Sequence, residues 1–126
     1  MKKLNKKGFT IVELVIVIAV IAILAAVLIP TFATVIKKAN VNAALQGGRN
    51  AYTAIMAETT ANFNVGSVDA NNVVKDNTTD TNTIIDLDDY IKDIKTVEFT
   101  ASPITITIKT NSGATVTITA SGVTAD

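Results

Sequence analysis

Apolar positions run unbroken through the first third of the chain, then break into short periodic groups. From Leu14 to Ile36, 23 positions, no residue carries a charge. A helix of that length rises about 34 Å at 1.5 Å per residue, more than the roughly 30 Å of a bilayer core. The run is apolar on every side (Ile11, Val12, Leu14 through Ile29), as expected of a helix facing lipid or the packed core of an assembly. Pro30 has no N–H to give to the carbonyl of Ala26, so a kink or local loosening is expected there. Beyond it, Val41, Leu45, Gly48, Tyr52, Ile55 and Thr59 recur at steps of four and three and line one face. The pattern therefore predicts one long helix from Phe9 to about Ala61, with an apolar first half and an amphipathic second half that packs on a sheet.

Residues 62–83 turn to Asn, Asp, Thr and Val without a period and read as a surface loop. Ile84 to Lys95 places Leu87, Tyr90, Ile91 and Ile94 at helical spacing. Its acids (Asp86, Asp88, Asp89) come early and its lysines (Lys92, Lys95) late, which predicts a short helix. The C-terminal stretch alternates strictly. Ile104, Ile106 and Ile108 interleave with threonine, and so do Val116 and Ile118 after Asn111-Ser112-Gly113. Opposing Ile108 to Val116 and Ile106 to Ile118 puts every apolar residue on one face, which specifies the hairpin register. Val97, Phe99 and Ala101 supply a preceding strand. The expected fold class is α+β, a long N-terminal helix with a small three-stranded antiparallel sheet packed on its C-terminal half.

Charge sharpens the reading at the N-terminus. Lys2, Lys3, Lys6 and Lys7 precede the apolar run with no acid among them, and such a cluster stays on the cytoplasmic side. Glu13 sits just inside the boundary of the apolar span, where a lone carboxylate costs on the order of 2.5–3.5 kcal/mol. It calls for a counter-charge. The octapeptide Lys7-Gly8-Phe9-Thr10-Ile11-Val12-Glu13-Leu14 resembles the processing motif of type IV prepilins and the related pseudopilins of type II secretion.

That resemblance covers about the first 45 residues and implies a specific chemistry. A prepilin peptidase would cleave between Gly8 and Phe9, Phe9 would be N-methylated, and its new amine would meet Glu13 of another subunit during assembly. Pro30 falls where the family usually carries a proline, and the turn before it, Ala22 to Pro30, unwinds in assembled filaments of the family. An isolated subunit is expected to keep it helical. The implied organisation is a leader peptide (1–8), a membrane-spanning or filament-core half-helix (9–36) and an extracellular head (37–126). The implied partners are other copies of the chain, the peptidase, an inner-membrane assembly platform, and the lipid bilayer before assembly. The product would be a cell-surface type IV pilus filament. A pseudopilin of a secretion or competence system, or an uncleaved signal-anchored surface binding protein, are the competing readings.

Other chemistry finds little support. Eleven basic residues balance eleven acids in the precursor; removing the four leader lysines leaves seven against eleven, a side-chain charge of −4. Lys37, Lys38 and Arg49 are the remaining basic cluster, suited to lipid headgroups, and no specific nucleic-acid partner is expected. The chain has no histidine and no cysteine, so no catalytic residue, metal site or cofactor is expected, nor the C-terminal disulfide of many pilins. Asp86, Asp88 and Asp89 lack the glycine and distal glutamate of a calcium loop. Asn77-Thr78-Thr79 matches a glycosylation sequon, a pattern common by chance.

Overall fold

In the computed structural model, residues 8–59, 62–78 and 82–126 are described. The leader lysines and Thr79 of the sequon lie outside them, as do the last two positions of the expected helix. The chain divides into two compact units, Met1–Val35 and Ile36–Asp126. One helix, α1 (Ile11–Glu58), begins in the first and ends in the second.

The first unit is a three-residue lead-in (8–10) followed by helix over its described residues, and its large apolar side chains are exposed, from Phe9 at 93% to Leu28 at 49%. The helix holds through Pro30, and Ala22 to Pro30 is helical throughout. Two threonines near the proline turn their hydroxyls onto carbonyls one turn back. Thr31 Oγ1 donates to Val27 O at 2.9 Å and Thr34 Oγ1 to Pro30 O at 3.2 Å. Each hydroxyl is thereby satisfied by the backbone within an apolar segment.

In the second unit, seven strands form two antiparallel sheets. The first sheet has the order β1-β2-β3, built from β1 (Val65–Val68), β2 (Val73–Asp76) and β3 (Thr83–Asp86). The second has the order β4-β5-β6-β7, from β4 (Ile94–Ala101), β5 (Ile104–Thr110), β6 (Thr115–Thr119) and β7 (Gly122–Ala125). β1 lies next to β4. The α+β class is as expected, and so is the hairpin register, with Ile106 opposite Ile118 and Ile108 opposite Val116. Those four side chains are fully buried, each stabilising the fold by about 1.5–3 kcal/mol relative to exposure.

Three expectations are corrected. The sheet expected to have three strands has four: a two-residue turn at Ala120-Ser121 folds β7 back on β6, placing Val123 opposite Ile118 and Ala125 opposite Val116. The stretch expected to be a loop holds β1, β2 and the start of β3. Asp69 makes the turn of that hairpin, its Oδ1 accepting from the backbone N–H of Asn71 (2.9 Å) and Val73 (3.0 Å). The helix expected over Ile84 to Lys95 is a single 3-10 turn, Leu87–Asp89, between β3 and β4. Asp86 caps that turn by accepting from Asp88 N–H, and Asp93 ends the connection in the left-handed region, at φ 65°. The apolar spacing there is real, but it serves to bury Leu87 and Ile91 from a turn.

The buried stripe of α1 also differs by about one position from the predicted face. Ala44, Gly47, Gly48, Ala51 and Ile55 are buried, with Val41 and Tyr52 packed at the margin. Small residues let the sheet approach closely. A Cβ on Gly48 would stand 2.5 Å from Val116 Cγ1 and 3.0 Å from Val123 Cγ1, and one on Gly47 would strike the carbonyl oxygen of Tyr90. Tyr52 donates its hydroxyl to Ala120 O at 3.2 Å and its ring lies 5.8 Å from that of Phe63, tying the helix to the β6–β7 turn.

Candidate functional site

The residues singled out at the N-terminus lie in the extended lead-in and first turn of α1. Gly8, Phe9 and Thr10 precede the helix, and all three are exposed. Nothing lies within 4 Å of where a Cβ on Gly8 would be. Leu14 N–H donates to Thr10 O at 3.1 Å, which makes Thr10 the residue from which the helix starts.

Thr10 and Glu13 are joined by two reciprocal bonds. Glu13 N–H donates to Thr10 Oγ1 at 3.2 Å, and Thr10 N–H donates to Glu13 Oε2 at 3.2 Å. This is a capping box, in which a threonine and a glutamate three residues on satisfy each other's free backbone donors. The carboxylate also lies at the positive end of the helix dipole. The local sequence dictates the arrangement: an extended Gly-Phe lead-in, a hydroxyl residue, two β-branched residues and then the acid. Among the described residues the ion pairs are Lys75–Asp69 at 3.7 Å and Lys109–Glu98 at 3.2 Å, both in the second unit. Glu13 is thus held by the backbone of its own first turn and faces outward. An acid so placed is oriented and exposed.

The geometry therefore brings Glu13 and Thr10 together; Phe9 lies next to Thr10 in sequence, and Pro30 stands farther along α1. Weighing Glu13 only as a charge in lipid leaves Thr10 without a role. The signal for it is present in the sequence, since Thr-x-x-Glu ahead of an apolar run marks a helix start. The acids of the second unit have local work. Asp86 caps a turn and Asp88 accepts from Asn72 Nδ2 at 3.3 Å.

Comparison with known proteins finds similarity in this segment. The family described as "Prokaryotic N-terminal methylation motif" matches residues 3–29. The type IV wide pilus major component PilA4 of Thermus thermophilus is 67% identical over 36 residues, 29% of this chain and 28% of that protein. The match thus spans less than a third of the relative's length. No solved structure matches the chain. The N-terminal segment carries the methylation motif and is similar to the corresponding part of a type IV pilus component, and α1 is long and apolar enough to cross a membrane.

Proposed function

We propose that this chain is a structural subunit that polymerises into a type IV pilus filament. The observation that carries the reading is the pairing of two features on one helix. A prepilin-type motif stands at the start of α1, and the large apolar side chains from Ile11 to Ile36 that follow it are about half exposed or more. A surface of that kind needs lipid before assembly and neighbouring helices after it. The peptidase cleaves between Gly8 and Phe9, and Phe9 is methylated at its new amine. That amine meets the Glu13 carboxylate of a subunit already in the fibre. Between packed apolar helices the pair is poorly screened, so it selects the docking register and adds little as an isolated ion pair. Pro30 interrupts the backbone ladder of the spanning half and gives it a point of bending.

PilA4 is a pilus major component, which favours a pilus subunit over a pseudopilin of a secretion or competence system. The test is mass spectrometry of the protein sheared from cells of its native host. A sedimentable chain beginning at N-methylated Phe9 is expected. A chain beginning at Met1 and confined to the membrane would overturn the reading in favour of a signal anchor.

A further inference from the structure

Among the described residues, four strands form the edges of the two sheets, and three of them are guarded. The pairing of β1 with β2 slips between Val65 and Ser67, that of β3 with β2 at Val74/Lys75, and that of β4 with β5 at Ile94/Thr96. β4 also carries Lys95 and Glu98, β3 carries Asp86, and β1 lies beside β4. Bulges and charges are the usual means of stopping an edge from pairing with another chain. β7 has neither. Gly122-Val123-Thr124-Ala125 holds no charge and no proline, and its register on β6 is unbroken.

The outward-facing groups of β7 follow from its ladder. Thr115 and Asp126 exchange both backbone bonds, at 2.8 and 2.9 Å. Bonded pairs alternate in an antiparallel ladder, so Thr124 and Gly122 also turn their backbone groups toward β6. Val123 and Ala125 therefore turn theirs outward, two donors and two acceptors in all.

These groups are self-complementary. If two β7 strands meet antiparallel about a dyad at Thr124, Val123 of each opposes Ala125 of the other. Both are then bonded pairs, four bonds form, and every outward group of both strands is satisfied. The faces also continue. Thr124 shares a face with Thr117 and Thr107, and that rank would run on into the same threonines of the second copy. On the other face Val123 and Ala125 extend the apolar rank of Ile118 and Val116.

We propose that β7 is a strand-addition edge whose occupant is β7 of a second copy of this chain, joining two four-stranded sheets into one of eight. Four bonds on a four-residue edge are too few to capture a free partner from solution, so the contact acts where copies are already concentrated. A dyad is an isologous contact and cannot be the operator of a polar helical fibre. The paired copies thus belong to two different fibres, and the edge fastens fibres side by side. The fibre setting rests on the pilus reading above; the edge itself does not.

The dyad supplies a direct test. Thr124 would face its own copy in a non-bonded pair, the closest cross-strand position, and the chain has no other cysteine to interfere. Sheared native fibres of Thr124→Cys should form disulfide dimers on mild oxidation, in large excess over Thr83→Cys on the guarded β3 edge. Equal yields, or monomer from both, overturn the proposal. Ala125→Pro removes only an outward N–H, so the subunit should melt as the parent does while its fibres sediment as single filaments. Sedimentation unchanged from the parent also overturns it. If the parent makes no fibres, the pilus reading fails. The same oxidation of concentrated, detergent-solubilised full-length chain, where copies are free to meet antiparallel, then decides the edge by the same two outcomes.

Discussion

Thr10 and Glu13 satisfy each other's backbone donors through a reciprocal pair of bonds. Within the subunit they close the first turn of α1; in the assembly proposed above, the same bonds would hold the carboxylate in a fixed orientation toward another subunit. Thr10→Ala removes the acceptor for Glu13 N–H and should destabilise that turn by about 1 kcal/mol. Hydrogen exchange of the first-turn amides in detergent-solubilised chain checks it, and Thr10→Ser should restore protection. Exchange equal to the parent in Thr10→Ala would show the cap to be inert. Two acids of the second unit carry a pH signature. Asp69 is held below the ordinary carboxylate value of 3.8, chiefly by the backbone N–H of Val73, and Asp76 likewise by Thr78. A depressed folded value means the contribution to stability is present above the unfolded value and is lost as pH falls through the folded one. The melting temperature should therefore drop as pH passes below 3.8. Asp69→Asn should flatten that acid limb without abolishing it, since Asp76 remains.

At the scale of elements, legibility follows side-chain period. The β5–β6 hairpin can be read to the residue because isoleucine and valine alternate with threonine along both strands, and only one register buries them together. β7 cannot, because four residues containing glycine and alanine give the pattern almost nothing to count. β1 to β3 are hidden for a different reason. Their register slips twice, and turn chemistry at Asp69, not alternation, sets the hairpin. The expected short helix fails because Leu87 and Ile91 have helical spacing, yet the capping of Asp86 and the left-handed Asp93 confine it to one turn. The buried stripe of α1 is displaced from the expected face because Ala44, Gly47 and Ala51, which join Gly48 and Ile55 in the contact, do not register as hydrophobic. That stripe gives a ranked prediction. Alanine at either glycine gains roughly 1 kcal/mol of helix propensity, while overpacking costs typically about 1–3 kcal/mol. Gly48→Ala meets valine methyls that can turn aside, whereas Gly47→Ala meets the Tyr90 carbonyl, which cannot. Gly47→Ala should thus lower the melting temperature of the full chain more than Gly48→Ala, and the reverse order would mean the helix shifts as a body.

For the whole molecule, the proposed assembly separates three steps that single substitutions can divide. In that proposal, insertion depends on the apolar run, processing on the Gly8–Phe9 bond, and incorporation on Glu13. Gly8 stands in open space in the subunit, so Gly8→Val is sterically harmless to the fold. In the proposed pathway its effect arises at the peptidase, which would need a residue without a side chain there. It should leave the uncleaved chain in the membrane with no fibre. Glu13→Ala keeps that bond and the apolar run, and loses only the carboxylate and its half of the capping box. It should be inserted and cleaved at the parent's rate, yet enter fibres at a small fraction of the parent level when both are expressed together. The frayed first turn alone cannot account for such a loss if Thr10→Ala, which breaks the other half of the same box, still assembles. Quantitative mass spectrometry of sheared fibres against membranes reads all three variants in one experiment. Equal incorporation of Glu13→Ala and parent would remove Glu13 from the docking step and leave apolar burial as its sole determinant. Loss of incorporation in Thr10→Ala to the level of Glu13→Ala would assign the step to the shape of the first turn, not to charge.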